Sequence, residues 1–358
     1  MKKILFVIPD LLIGGAEKNL LNISRHLSKK NVVEIITFKK INKVLNKEIN
    51  KNIKIIKFNS NFSIITLIKL IRFLKKNNYD KVISFLNIAN VLCLICCFFI
   101  KKKISLNISL RNNLSNQFNL STKDKIIIYL IKLFINNCEK IICVSNFVAK
   151  DAIENFSLPL EKVVTIYNPV VNSLFIKRTK EKLKNKYIKK LTNKNFICCV
   201  GSLTVQKDFI TVIKSFNIIK DDIDHNLIII GKGCQHQYLK NYIYSKNLQK
   251  RVFLLGEIEN PLPLISKSSL FISSSLWEGL PSVLIEAAYF NKHIIASKCP
   301  GGSNEILKLY GNHSYYRPRD FKQLSKIILK NKNKISSKTK NKKILKIFSE
   351  NKSLNYIK

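Results

Sequence analysis

The stretch Ser273–Ala287 reads SSSLWEGLPSVLIEA and sets two glutamates, a Gly-Leu-Pro turn and a helix start into one short run. Leu270, Phe271 and Ile272 before it suit a short buried strand, with Ser273, Ser274 and Ser275 as the loop at its C-terminal edge. Pro281 fits the first helical position, and Val283, Leu284, Ala287 and Ala288 give that helix an apolar face. The unpaired amides of a helix start favour phosphate, so Glu278 and Glu286 would flank an anion pocket. Carboxylates do not bind phosphate. Their partners would be hydroxyl donors, which suggests a ligand carrying both phosphate and sugar. Two solvated surface charges, the usual fate of Glu, is the other reading of the same spacing.

A chain of 358 residues exceeds one ordinary core, and its 46% hydrophobic content suffices for two. The formal net charge of +41 raises nucleic acid or an anionic membrane surface as partners. The charge is mostly Lys in a background rich in Ile and Asn, with no Arg-rich arm and no aromatic-basic interleaving. A basic membrane-facing surface is therefore the better functional reading, beside plain solvated lysines. The opening MKKILFVIPD has the outline of a signal peptide, but Pro9 and Asp10 end the apolar run too early. Val91–Ile100 is far shorter than the roughly 20 residues of a spanning helix and reads as a buried one. Of the nine cysteines, Cys93, Cys96, Cys97, Cys143, Cys198 and Cys199 sit in apolar runs, as reduced core thiols in the cytoplasm do. Cys93 and Cys96 have metal-like spacing but no second pair or histidine cluster, so no zinc site is expected.

From the N-terminus, Lys3–Ile8 reads as a strand, Leu11–Gly15 as a glycine loop and Ala16–Leu27 as an amphipathic helix with Glu17 in its first turn. The loop has an adjacent glycine pair, not the three spaced glycines of a dinucleotide fingerprint, which disfavours NAD. Strands at 32–38, 53–58 and 81–85 alternate with helical patterns at 64–76 and up to Ile100, so a parallel sheet covered on both faces is expected. A strand at 103–110 ends in Arg111, Asn112 and Asn113, and ligands bind beyond the C-terminal ends of such strands, which makes Arg111 a site candidate. A helix at 125–134 and a strand at 140–144 follow. Ser145 suits a helix N-cap, and Asn168–Pro169 marks a turn. Residues 175–194 are Lys-dense and poor in apolar residues, the best candidate boundary between a domain at 1–175 and one at 190–335, with a basic helical tail at 336–358 ending near Ile357. After the boundary the pattern restarts: a strand at 195–200, a turn at Gly201, Ser202 and Leu203, a helix from Asp208, a strand at 227–230 ending in Gly231, Lys232 and Gly233, and then the run that leads into Ser273.

Taken together, GGAE at Gly14–Glu17, VSNF at Val144–Phe147, IYNPV at Ile166–Val170, VGSLTVQKDF at Val200–Phe209, IIIGKG at Ile228–Gly233, WEGLPSVLIEA and PGGSNEIL make the chain resemble, over nearly its whole length, a retaining glycosyltransferase of family 4. The resemblance implies an α/β protein of the GT-B fold, two Rossmann-like doubly wound parallel-sheet domains facing a cleft, with the nucleotide sugar mainly on the second. It implies that Glu286 bonds the ribose hydroxyls and Glu278 the transferred sugar, and that amides near Gly279, Leu280, Pro281, Ser282 and Val283 face sugar and phosphates. Lys207 would neutralise the diphosphate. Gly15, Ser202 and Gly233 would complete the donor site, with Gly15 reaching the phosphates from the first domain. No metal and no cofactor is implied, since Lys or Arg and helix dipoles stabilise the leaving diphosphate.

Two departures stand out. Ser202 occupies the place of the usual Arg in VGRL, and ISLRNN, similar to an SxRN variant, puts Arg111 where many members carry a donor-contacting His. Glu278 and Arg111 thus take the catalytic positions, with no residue nominated as nucleophile. The expected reaction moves a sugar from UDP-N-acetylhexosamine or another UDP-hexose to a growing, lipid-linked surface glycan, at the inner face of the cytoplasmic membrane by peripheral contact with anionic lipid and without nucleic acid. A basic nucleic-acid-binding protein and a non-catalytic transferase-like partner are the alternatives.

Overall fold

The computed structural model describes residues 1–12, 14–42, 49–60, 63–100, 104–115, 122–183, 185–334 and 341–349. Lys103 and the tail beyond Ser349, with the helix end expected near Ile357, lie outside the described residues. The chain forms two compact units, Met1–Pro169 and Val170–Ser349.

The first unit is built from β1 (Lys3–Ile8), α1 (Gly15–Leu27), β2 (Val32–Thr37), β3 (Ile53–Lys57), α2 (Ile64–Lys76), β4 (Lys81–Phe85), α3 (Asn87–Phe99), β5 (Ser105–Leu110), α4 (Thr122–Phe134), β6 (Lys140–Cys143), α5 (Asn146–Glu154) and β7 (Val163–Thr165). Its strands are short runs of Val, Ile, Leu and Phe that pair in parallel in the order β3-β2-β1-β4-β5-β6-β7. Parallel strands need buried faces, and β1 supplies them, with Ile4 to Ile8 nearly inaccessible. Phe6 sits between Ile35 and Ile83 in register and meets Phe85 edge-on at 6.0 Å between ring centroids, at the centre of this core. Ser145 caps α5 as expected, its side chain accepting a hydrogen bond from the amide of Val148.

The second unit continues with α6 (Ser173–Thr179), α7 (Lys186–Leu191), β8 (Phe196–Val200), α8 (Phe209–Ile219), β9 (Asn226–Ile230), α9 (His236–Ser245), β10 (Val252–Leu254), α10 (Leu262–Lys267), β11 (Leu270–Ser273), α11 (Ser282–Tyr289), β12 (His293–Ser297), α12 (Ser303–Tyr310), β13 (His313–Tyr316), α13 (Phe321–Asn331) and α14 (Lys342–Ile347). Its parallel sheet runs β10-β9-β8-β11-β12-β13 over a core that includes Ile197, Phe216, Leu227, Leu270, Ile295 and Leu324. Both units are thus doubly wound α/β sheets, the architecture expected from the alternation of strand and helix patterns.

The division falls between Pro169 and Val170, before the Lys-dense stretch rather than at it. That stretch forms α6 and α7 of the second unit, anchored by Phe175, which is buried edge-on against Tyr289 at 4.9 Å. Its lysines coat surface helices, so the shift in composition marks exposure and not a linker. The described part of the basic tail is likewise packed, since Ile344 and Phe348 are fully buried and Val171 N–H donates to the Phe348 carbonyl at 3.0 Å. Pro281 is the N-cap of α11 instead of its first helical residue, because its ψ of 108° is still extended.

Candidate functional site

In the second sheet, β8, β9 and β10 progress one way and β11, β12 and β13 the other, so the chain reverses direction between β8 and β11. At such a switch point the loops leaving the two strands part and open a crevice at their C-terminal ends. The loops here are Gly201–Asp208 after β8 and Ser274–Pro281 after β11. They are stitched together: Leu276 N–H donates to the Gln206 carbonyl at 2.7 Å, Gln206 Nε2 to the Trp277 carbonyl at 2.9 Å, and Ser274 Oγ to the Lys207 carbonyl at 2.6 Å.

The stitching brings Lys207 and Glu278 into a direct ion pair between Nζ and Oε1. Glu278 is buried, and Ser275 Oγ donates to the same carboxylate oxygen at 2.6 Å. A buried carboxylate needs its charge answered and its lone pairs engaged, and these two partners do so at Oε1. Asp208, next to Lys207, is left-handed at φ 47° and turns the chain directly into α8. Its carboxyl is raised by burial, opposed by the hydrogen bond from Thr211 Oγ1 at 2.7 Å and by the charge of Arg319.

A third loop, after β12, holds the site from behind. Glu278 and Gly301 form a parallel bridge, Glu278 N–H donates to the Pro300 carbonyl at 3.0 Å, and Gly302 N–H donates to the Gly279 carbonyl at 2.9 Å. Gly301 has φ +130°, and a Cβ there would run into the carbonyl oxygen of Glu278. The PGGS segment is therefore the clamp that fixes the backbone of the first glutamate. Sequence reasoning saw PGGSNEIL as a family mark and missed this role; two consecutive glycines just past the Lys298, Cys299 and Pro300 that follow β12 were the available signal.

Gly233 is explained by packing within the protein. A Cβ on it would meet the backbone of Leu203, and one on Gly231, at φ +146°, would meet the carbonyl of Gly201. These contacts set the loop after β9 against the loop that carries Ser202 and Lys207, so Gly233 supports the site from below. Ser202 is exposed on the rim. Gly279 and Leu280 are buried between Glu278 and the α11 start, where Ser282 and Val283 are the first helical residues, and Glu286 lies half-buried on the second turn. The opening stretch is thus one connected device: strand, buried carboxylate, turn, helix N-terminus and a second carboxylate.

The first unit has its own switch point, between β1 and β4. Gly14 caps α1 in extended conformation, and a Cβ on it would collide with the Glu17 carboxylate, whereas Gly15 is exposed with open space beside it. Leu86, just past β4, holds φ 73°, a strained value for a residue with a side chain. Arg111, just past β5, donates from Nη2 to Asn168 Oδ1 at 2.7 Å and lies over the Phe85 ring at 5.1 Å. Burial pulls its guanidinium down to about 10, against the opposing pull of Glu17. The Glu17 carboxyl in turn is raised, because its burial outweighs its own backbone hydrogen bond and the attraction of Arg111. Arg111 and Asn168 close a small recess lined by Phe6, Phe85, Ser109 and Tyr167. Asn168 reads in the sequence as a turn residue only; the structure makes it the partner that orients Arg111.

The loop following Arg111 is fixed from α5. The Asp151 carboxylate accepts from Leu114 N–H at 2.7 Å, from Ser115 N–H at 3.2 Å and from Asn155 Nδ2 at 2.9 Å. Asp151→Ala is expected to cost about 2–3 kcal/mol, the penalty of stranding charge-assisted backbone donors. Denaturant titration of the variant checks this, and an unchanged midpoint would show that water replaces the carboxylate.

Among the described residues no group of three or more His, Cys, Asp or Glu side chains could hold a metal ion. The cysteines are free thiols, buried or partly buried except Cys234, and burial raises those of Cys198 and Cys299.

Two doubly wound parallel-sheet units, the second with paired loops and a buried carboxylate at its switch point, are the architecture of GT-B glycosyltransferases. A family profile described as "Glycosyltransferase Family 4" matches residues 13–173, and one described as "Glycosyl transferases group 1" matches residues 180–345. The chain belongs to family 4 of the glycosyltransferases. It is 31% identical over 247 residues to an uncharacterized glycosyltransferase of Methanocaldococcus jannaschii, a match covering 67% of this chain and 60% of that protein, under two thirds of its length. It is 26% identical over 318 residues, 86% of this chain and 82% of the relative, to a Campylobacter jejuni α-1,4-N-acetyl-D-galactosaminyltransferase named for a GalNAc-containing, diNAcBac-PP-undecaprenol acceptor. Among solved structures, Anabaena HepE in complex with UDP and glucose superposes with a TM-score of 0.81 at 19% identity, over 100% of this chain and 98% of that one, which establishes likeness of fold.

Proposed function

We propose that the protein transfers a sugar, with retention of configuration, from a UDP-linked donor to a growing lipid-linked glycan. The observation that carries this reading is the Lys207–Glu278–Ser275 cluster, clamped by Gly301 at the switch point of the second sheet and leading directly into the N-terminus of α11. A diphosphate would meet the ammonium of Lys207, with its three donors, and the amides of Ser282 and Val283, while Glu278 would accept from hydroxyls of the transferred sugar. Glu286, one helical turn further, would accept from the ribose. With Lys207 and the helix dipole taking up the charge of the leaving diphosphate, the reaction needs no metal of its own.

Ser202 adds a hydroxyl donor at the rim and no charge, so Lys207 bears the larger share of the phosphate's charge in this chain. Arg111, oriented by Asn168 in the first unit, acts on the sugar or acceptor, and Gly15 leaves the amides at the start of α1 open to phosphate. The acceptor class follows the Campylobacter relative, whose name specifies an undecaprenyl diphosphate glycan, and the donor class follows HepE, which was crystallised with UDP and glucose.

A panel of UDP-sugars read by thermal unfolding tests the donor. A true donor at 100 times its Kd adds about 2.7 kcal/mol to stability, because it binds the folded state only. The reading predicts that one UDP-hexose or UDP-N-acetylhexosamine raises Tm and that Glu286→Ala removes the rise. A panel that leaves Tm unmoved throughout contradicts it.

A further inference from the structure

We propose that the recess beneath Arg111 in the first unit seats the acetamido group of the acceptor, so that the sugar receiving the transfer is an N-acetylated amino sugar. The register of the sheet sets the depth of this recess. Phe6 and Ile83 pair at its lower level. Phe85 pairs with Ser109, and Ser109 with Ile142, two residues nearer the C-terminal edge, which raises them by about 7 Å. Arg111 follows two residues after Ser109 and stands with Asn168 at the rim. The wall is therefore hydrocarbon at the bottom, carries one hydroxyl halfway, and ends in a guanidinium and an amide.

Ser109 is the member of this wall that packing does not explain. It is 1% exposed, and its Oγ has no hydrogen-bond partner among the described residues. A buried polar atom left unpaired is costly, and alanine would pack into the strand without that cost. The backbone carbonyl of Ser109 is engaged on the other side of the sheet, where it accepts from Asn90 Nδ2 at 3.1 Å. The hydroxyl is what the residue presents to the recess. At the rim, Asn168 Oδ1 takes one of the several N–H donors of Arg111 at 2.7 Å and holds the guanidinium in place.

The order of these groups selects the occupant. The recess has room for about one water-sized or methyl-sized group. Water needs several polar partners, and below the rim the lining is apolar apart from Ser109. A carboxylate would lose its solvation against Phe6 and Phe85 with a single hydroxyl to answer it. A bare methyl, as on a deoxy sugar, leaves Ser109 unpaired. An acetamido group meets every level: its methyl faces Phe6 and Ile83, its carbonyl oxygen accepts from Ser109 Oγ, and its sugar ring stays at the rim, where Arg111 donates to ring hydroxyls. The inference rests on the transfer reading, in which the second unit holds the donor, so that the acetamido group bound by the first belongs to the acceptor.

The test is binding of methyl α-glycosides to the full chain with UDP present, followed by saturation-transfer NMR. Two pairs are compared, N-acetylglucosamine against glucose and N-acetylgalactosamine against galactose. The wild-type protein is expected to bind the acetamido member of at least one pair about tenfold or more tightly than its hydroxyl counterpart, with the acetyl methyl the most strongly saturated proton. Ser109→Val fills the recess and removes its hydroxyl, so it should bind both members of each pair alike. The saturation pattern is read on the wild type and keeps the test decisive if that variant does not fold. Equal affinity within both pairs, no measurable binding of any of the four glycosides, selectivity that survives Ser109→Val, or strongest saturation away from the acetyl methyl would each overturn the proposal and leave the recess a packing feature. A UDP-sugar thermal shift of the wild type separates this inference from the transfer reading. Acetamido selectivity in a chain that no UDP-sugar shifts keeps the recess and removes transfer, and a shift without selectivity does the reverse.

Discussion

Glu278→Ala is expected to lower sugar transfer at least about 100-fold, the scale seen when one electrostatic contact to a reacting group is removed. The same change should destabilise the protein, because it strands the Lys207 ammonium, whose side chain is only 19% exposed. Breaking a buried pair costs on the order of 3–5 kcal/mol, and the residual exposure of Lys207 brings the expectation to about 2–3 kcal/mol. Glu278→Gln separates the two effects. It keeps an acceptor for Ser275 Oγ and much of the packing, so it should retain more stability than the alanine variant while transfer still falls. Release of UDP in the presence of acceptor reads the first effect and thermal unfolding the second. Stability loss with full transfer would make the pair a structural strut and remove Glu278 from the donor site.

Gly301→Ala should have the second largest effect, although the residue need touch no ligand. Its φ of +130° disfavours any side chain, and the new Cβ would press on the Glu278 carbonyl. Strain and clash together should cost about 2–4 kcal/mol, which for a unit of this size lowers Tm by roughly 5–15 °C. Because the bridge to Gly301 positions Glu278, the Km for donor should rise even where the variant remains folded. Gly15→Ala is the matched control, with open space at its Cβ and no positive φ. It should leave stability within about 1 kcal/mol of wild type, since alanine favours a helical position over glycine. Loss of transfer in that variant would then report on ligand approach at the start of α1.

The sequence makes the two parallel sheets legible because buried parallel strands are continuous runs such as ILFVI at Ile4–Ile8, LIII at Leu227–Ile230 and LFI at Leu270–Ile272, the last two followed by glycine or serine. The serine, glutamate and proline order of Ser273–Ala287 likewise indicates a strand, loop and helix start. What pattern reading does not yield is pairing at long separation. The ion pair of Lys207 with Glu278 spans 71 residues, and the bond from Arg111 to Asn168 spans 57. Neither leaves a local periodicity, because both are set by which strands become neighbours. A Lys-rich stretch with few apolar residues describes thin surface helices such as α6 and α7 as well as a linker, and the one buried side chain among its described residues, Phe175 on α6, carries no periodicity that would tell them apart.

The central claim is that a nucleotide diphosphate binds at the switch point of the second sheet, between the loops carrying Lys207 and Glu278. Isothermal titration of UDP into the full-length wild-type protein and into Lys207→Ala and Glu286→Ala tests it directly. The account predicts a single site in the wild type and affinity at least about tenfold weaker in each variant, the loss of one charge-assisted contact apiece. Wild-type affinity in both variants would contradict it.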